Sequence, residues 1–556
     1  MVAGGEPGRL DVEVTRLGVE VAKEPPAAPA REHVGEEPGV PGGEVVAGLV
    51  DEPADPVRAG RADSPDGRAL EVVPVGDTGP PETAFRRLAD PFDRDERVLE
   101  AHGHWRATEG HNSVAGGRPG EPHPGVGGPR TFLPSGWRAP VVMQVDGDRL
   151  RADIEANAAF GAVEAPDGRG RTVLTGTEAD RAARDRFVAR LEDAGLDVRV
   201  DPVGNIAGRW TPPHADPDAA PVAVGSHLDS VVRGGIFDGP LGTYGALEAV
   251  RAIQESPREP HRPVDVVAFT EEEGARFGIG TLGSSVATGV RDHGTVESLT
   301  DDEGVTVAAA LEGIGYRGDA DLGAADWDAW AELHVEQGTR LEATDTPVGI
   351  VTDIVGITNC LASVSGAADH AGATMMAERT DALCAAAEFV LDVERAARDA
   401  ADRGGTAVGT VGEFTVEPNY RAIVPGEVEM RLDIRDVEYA AMNDIVDRAR
   451  DTLARLERDR GVETALDRYR DQRPSAMADR CIEAARRTAD EAGLAARTMH
   501  SAAMHDTANV AGVTDAVMLF APSRDGISHT PQEWTDWAAC RRATQVLAGT
   551  VATLAE

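Results

Sequence analysis

Lysine is almost missing from this chain. Of 55 basic residues one is a lysine, Lys23, and all the others are arginine. Acidic residues number 96, which leaves a net charge of -41. Nucleic acid and anionic membrane surfaces both require clustered positive charge, so this balance speaks against either as a partner. Cysteine is scarce as well. Cys360, Cys384, Cys481 and Cys540 form no CxxC pair, which argues against a disulfide framework and against a thiolate zinc site. No run of about 18 apolar residues occurs, so no transmembrane helix is expected. The N-terminus lacks a basic-then-apolar leader pattern, and a cytoplasmic protein is the expectation.

What is present is acid, alanine, arginine and glycine, the composition of a high-GC coding source. The acid also suits a hydrated surface in high salt, where self-repulsion is screened. A length of 556 residues leaves room for two or more domains. Residues 1–142 differ from the remainder. Stretches such as "EPPAAPAREHVGEEPGVPGGE" show no sustained period and too little apolar surface to offset ordering entropy. They are expected to be a disordered extension, or an over-extended reading frame, since Met143 in "MQVDGDRLRADI" resembles a natural start.

Beyond Met143 the texture is that of an α/β protein. "TGTEADRAARDRFVARLEDAGL" predicts a helix capped by Thr177, with Asp180 three residues on, and ended by Gly195. "PVAVGS" and "VDVVAF" read as buried parallel strands, and "LGTYGALEAVRAIQ" between them reads as a helix. "DAVMLFAP" is a further buried strand. The middle differs. "EVEMRLDIRD" places Val428, Met430, Leu432 and Ile434 on one face, as in a half-exposed antiparallel strand, with "VGTVGEFTVEP" as its partner and a long helix over 379–402 before both. The expected architecture is a catalytic α/β domain with a mostly parallel sheet, formed by residues 143–354 and 469–556. An α+β block, 355–468, is inserted into it.

Four clusters of acid and histidine end predicted strands or sit in glycine-bounded loops: His227 and Asp229 after "PVAVGS", Glu271–Glu273 after "VDVVAFT", His334 in "AELHVEQG", and His529 after "DAVMLFAPS". In α/β folds such strand ends hold functional groups. The set suits a pair of divalent ions sharing a carboxylate, with a neighbouring free carboxylate to move protons.

Together "GSHLDSVVRGGIFDGPLG", "FTEEEGARFGIGTLGS", "LHVEQGTRLE", "ADHAGATMMAERTDAL" and "GISHTPQEW" resemble the metal-dependent amidohydrolases of the hydantoinase/carbamoylase group, within the M20 peptidase-like superfamily. The resemblance implies a dinuclear centre of zinc, manganese, cobalt or nickel. His227 and His334 would hold one ion, Glu273 and His529 the other, and Asp238 would bridge them. Asp229 would orient His227, and Glu272 would be the general acid/base, with a one-residue ambiguity of register in the triple glutamate. The inserted block would be a lid and dimerisation domain. From it, His370 would stabilise an oxyanion, commonly in the partner subunit's site, and Arg435 would grip a substrate carboxylate. Gln337 would face the substrate, Asn419 and His505 would support it, and Ala422 stands where the family often has asparagine. The implied reaction is hydrolysis of an N-carbamoyl-L-amino acid to ammonia and carbon dioxide, with allantoate or β-ureidopropionate as alternative substrates, by a homodimer; the rival readings are an aminoacylase or peptidase of the same superfamily and, last, a non-catalytic binding protein on the same fold.

Overall fold

The computed structural model describes residues 142–556. The expectation for residues 1–142 lies outside them but for Val142.

Four short apolar runs build the centre of the larger sheet. Asp515–Ala521 pairs in parallel with Ala329–Val335, which pairs in parallel with Val222–His227, and that strand with Val264–Phe269. Each is buried almost throughout, as a sheet covered on both faces demands. The sheet is antiparallel on both flanks. Val264–Phe269 is followed by Ile206–Trp210 and Asp197–Val200 on one side, and Val348–Ile354 pairs antiparallel with Asp515–Ala521 on the other. The helix Pro240–Gln254 is buried along all but its last residue, mostly apolar as a helix inside a core is, with Glu248 and Arg251 held in ion pairs with Arg149 and Asp153. It packs against the C-terminal helix Trp537–Ala555. At the surface, Glu178–Asp193 begins as the sequence predicts, with Thr177 accepting from the Asp180 amide. It buries Ala183, Phe187 and Leu191.

A second core lies in the middle of the chain. Four antiparallel strands run in the order Val408–Glu417, Glu427–Asp436, Gly356–Ser365, Glu463–Gln472. Helices Ala382–Asp402 and Tyr439–Arg460 cover one face, around Phe389, Met430, Ile434 and Leu453. The long helix starts at Ala382, capped by Asp381. The chain leaves the larger sheet after Ile354 and returns at Ser475, which pairs with Ile354 itself. Both crossings therefore sit at one edge. The strand Glu463–Gln472 runs across residue 468, because its charged run "DRYRDQ" still keeps ladder pairing.

Candidate metal centre

The parallel strands end together, and their last residues and following loops supply the cluster. His227 closes its strand, and His334 is next to last in the neighbouring one. Asp238 follows in the glycine-rich loop, held by a buried support. Glu533 Oε1 accepts the amides of Phe237 and Asp238 at 2.9 and 3.0 Å. Gly235 permits this approach, since a Cβ there would meet Glu533 Oε1 at 2.1 Å. At Gly239, with φ +78°, a Cβ would strike the His227 ring at 2.6 Å. These two positions explain why the loop is so poor in side chains.

Asp238 divides its carboxylate. Oδ1 lies 3.4 Å from His227 Nε2 and 3.1 Å from His334 Nε2. Oδ2 lies 3.4 Å from His529 Nε2, which in turn is 3.5 Å from Glu273 Oε2. Two ligand groups result, His227–Asp238–His334 and Asp238–Glu273–His529. Ligands placed tetrahedrally about 2.1 Å from one cation stand about 3.4 Å apart, so the spacing fits an ion in each. The donor atoms support the same assignment. Both ring nitrogens of His227 and Glu273 Oε1 are buried with no hydrogen-bond partner, which is costly unless something else binds them.

The electrostatics point the same way. Burial, opposed by His227 and reinforced by Asp506 and Glu273, raises the Glu272 carboxyl well above the carboxylate range. Burial and the Asp238 charge push Glu273 up to about 7. The contact with Asp238 raises His529 to about 9. A divalent cation between such carboxylates offsets both their burial and their mutual repulsion.

Asp229 ties the cluster together. It lies 3.6 Å from His227 Nδ1 and accepts the amides of Glu272 at 3.3 Å and Glu273 at 3.1 Å. Glu271 is spent on its own loop, accepting from the amides of Arg276 and Phe277, each at 2.9 Å. Glu272 instead reaches toward the cluster, its Oε2 3.9 Å from His227 Nε2. Gln337 donates from Nε2 to Asp238 Oδ2 at 2.8 Å. His505 is buried against the His334 ring, with centroids 4.5 Å apart. Burial, then the His334 charge, keeps it well below the usual imidazole range. Glu271, Gln337 and His529 all hold positive φ, between 54° and 58°, a conformation that non-glycine residues keep only where packing enforces it.

A cavity of about 290 Å³ opens over the cluster. One wall includes Asp238, Glu272, Glu273, His334 and His529, and the other includes Ile357, Arg435 and Arg470 from the four-stranded sheet. Arg435 is paired with Asp433 through Nε at 2.8 Å and Nη2 at 3.2 Å, and Nη1 donates to Ala502 O at 3.1 Å. His370 and Asn419 are exposed and do not line this cavity.

Three supports were not singled out by sequence reasoning. Glu533 stands four residues after His529, inside the quoted "GISHTPQEW", and its position beside a predicted ligand was the available signal. Ser528 Oγ lies 3.0 Å from Asp238 Oδ2 and 2.8 Å from Glu533 Oε2, and its single hydroxyl proton serves one or the other. Arg171 is wholly buried and donates to the carbonyls of Leu228 and Asp229 at 2.7 and 3.0 Å. No spacing in the sequence marks it.

The chain is similar to several known proteins. The description of peptidase family M20/M25/M40 matches residues 214–553, the stretch that includes every residue of the two ligand groups. An N-carbamoyl-L-amino-acid amidohydrolase of Paenarthrobacter aurescens is 38% identical over 410 residues, covering 73% of this chain and 97% of that protein. A ureidoglycolate hydrolase of Oryza sativa subsp. japonica is 32% identical over 418 residues, covering 74% and 85%. The crystal structure of an amidase of the hydantoinase/carbamoylase family from Burkholderia multivorans superposes with a TM-score of 0.69 at 36% identity, covering 74% of this chain and 98% of that one. With that extent of likeness over the sheet, the inserted block and the ligand-bearing loops, the chain belongs to peptidase family M20/M25/M40.

Proposed function

We propose that the protein hydrolyses N-carbamoyl-L-amino acids, so that one ureide and one water yield an amino acid, ammonia and carbon dioxide. The observation behind this reading is the split carboxylate of Asp238, with a histidine pair on one oxygen and Glu273–His529 on the other. The name of the Paenarthrobacter aurescens relative supports the choice of substrate. His227, His334 and Asp238 would hold one divalent ion, and Asp238, Glu273 and His529 a second, with zinc, manganese, cobalt or nickel all suited to such donors. Bound there, the ions would polarise the ureido carbonyl and make a water acidic enough to attack near neutral pH.

The protein's own groups do the rest. Glu272, buried and lining the cavity, takes a proton from the attacking water and passes it to the leaving nitrogen. Asp229 fixes the His227 ring and the backbone that presents Glu272. Arg435, on the opposite wall, holds the substrate carboxylate. Gln337 and His505 shape the cavity floor, and Asn419 supports the loop that leads into the lid sheet.

His370 serves the site of a second copy in a homodimer, with the inserted block, from 355 to the end of the strand Glu463–Gln472, as lid and dimerisation region between the two catalytic segments. Its geometry suits that role. Nδ1 accepts the amides of Gly372 and Ala373 at 3.0 and 3.1 Å, so the ring proton sits on Nε2. The exposed edge is thus a donor ready for an oxyanion. Among the described residues no helix is long and apolar enough to cross a membrane.

The ureidoglycolate hydrolase relative favours a second reading, a ureide such as allantoate or ureidoglycolate, for which the same groups would act alike. Ammonia release from a panel of N-carbamoyl amino acids, allantoate, ureidoglycolate and N-acetyl amino acids, using protein stripped and reloaded with zinc or manganese, tests both. Turnover of N-acetyl substrates alone would overturn the ureide reading.

A further inference from the structure

The lid wall of the cavity presents two guanidinium groups, and only one of them has a carboxylate partner. Arg435 is committed to Asp433 through Nε and Nη2. Arg470 donates to the amide oxygen of Gln472 at 2.9 Å. Among the described residues no carboxylate lies within ion-pair distance of it.

Arg470 reaches that face through a defect in the sheet. Glu463–Gln472 pairs in regular register from Glu463↔Ser365 to Arg468↔Cys360, and then shifts so that Arg470, with Tyr469 skipped, opposes Asn359. Cys360 belongs to the face packed on the helices. Asn359 belongs to the other, where it touches Asp433. Without the bulge the position opposite Asn359 would fall to Tyr469. The extra residue therefore turns an arginine toward the cavity, the use to which bulges beside active sites are put. Arg435, two strands away, opposes Ile357 on the same face. The proximity of the two cations registers in Arg470: burial first, and then the Arg435 charge, lower its pKa.

We propose that Arg470 binds the substrate carboxylate jointly with Arg435 and makes the larger contribution of the two. The proposal rests on the reading of the cavity as a site for ureido carboxylates. A carboxylate between the two guanidiniums would relieve their repulsion and give Arg470 the anionic partner it lacks. The carboxylate is remote from the scissile bond, so it is held equally in ground and transition states, and its loss acts on KM.

The test compares wild type, Arg470→Gln and Arg470→Lys on an N-carbamoyl-L-amino acid and on its carboxamide analogue. For the carboxylate substrate, Arg470→Gln should raise KM about tenfold or more with kcat nearly kept, the size expected of a lost charge-assisted hydrogen bond. Arg470→Lys should recover part of it. The ratio of kcat/KM for carboxylate over carboxamide should fall by a similar factor, which a merely structural role would not produce. Equal loss on both substrates, or no change on either, overturns the proposal. Calorimetric binding of the free amino acid against its amide, to the same three proteins, separates the two layers of argument. If no ureide is hydrolysed but Arg470→Gln weakens amino-acid binding about tenfold and spares the amide, the ureide reading falls and the role of Arg470 stands. If ureides are hydrolysed and amino-acid binding is indifferent to the substitution, the role of Arg470 falls alone.

Discussion

One wall of the cavity comes from strands buried along nearly their whole length, Val222–His227 and Ala329–Val335. The other comes from Glu427–Asp436 and Glu463–Gln472, in which every second residue meets solvent or nearly so. The buried wall has side chains held in place by neighbours that are themselves buried: Asp238 by Glu533 and Ser528, His227 by Asp229, and Asp229 by two backbone amides. The exposed wall presents arginines whose supports are few. Reaction chemistry tolerates little displacement, since about 1 Å of misplacement can cost about 100-fold in rate. Recognition of a remote carboxylate tolerates more. If the two walls answer to these two demands as proposed, substitutions on them should differ accordingly.

The largest effect is expected on the buried wall. Asp238→Asn removes the one group common to both ligand sets, so ammonia release should fall by on the order of 10³-fold or more, with metal content per subunit falling in the same preparation. A variant that keeps two metals and most of its activity would show that Asp238 is not shared. Glu272→Gln should be nearly as severe in kcat, about 10²- to 10⁴-fold, and yet leave metal content unchanged. Metal analysis beside the rate measurement separates a proton carrier from a ligand, and also decides the register within Glu271–Glu273.

The inserted block offers a sharper distinction, because one of its residues is expected to act in another copy. His370→Ala should lower kcat about 10²- to 10³-fold, the size of a lost oxyanion donor. Mixing it with Glu272→Gln under conditions that exchange subunits should then restore activity, since a mixed dimer has one site with both groups intact. Mixtures no more active than their components would place His370 outside the partner's site.

The same contrast explains what could be read from the chain. The buried wall was legible because its chemistry is confined to residue types that are rarely placed together for any other reason: His227, Asp238, Glu273, His334 and His529 all fall at strand ends or in glycine-bounded loops. The strands themselves announced their burial through unbroken apolar runs such as "VDVVAF". The supports were not legible. Arg171 reaches the cluster from a segment that has no motif residue and Glu533 from beside His529, but each is charged where burial is unusual, so composition and periodicity point away from them. Arg470 was hidden for a different reason. In "DRYRDQ" simple alternation puts Arg468 and Arg470 on one face, and only the one-residue bulge at Tyr469 sends them to opposite sides. Arg468 goes to Asn443 on the helix layer. Register is a property of the assembled ladder, and a bulge is set by pairing partners more than a hundred residues away.

The smallest of these effects should come from Glu533, and it tests whether the supports of the buried wall act through geometry or through charge. Its Oε1 accepts two backbone amides and its Oε2 lies against the Ser528 hydroxyl. In Glu533→Gln the amide oxygen can keep both backbone hydrogen bonds, and Ser528 can accept from the new NH₂ while donating to Asp238. The loop should therefore stay in place, and what is lost is one negative charge beside the cluster. Metal affinity should fall about tenfold, at the low end for loss of a group that orients a ligand, with kcat of the fully loaded protein nearly unchanged. Glu533→Ala should fall further, toward about 100-fold, because it also leaves two buried amides without acceptors. Competition with a chelator of known affinity reads both. If the two variants lose affinity equally, the charge is what Glu533 supplies. If only the alanine variant loses it, Glu533 is a scaffold for the Asp238 loop and the buried wall is held by hydrogen-bond geometry alone.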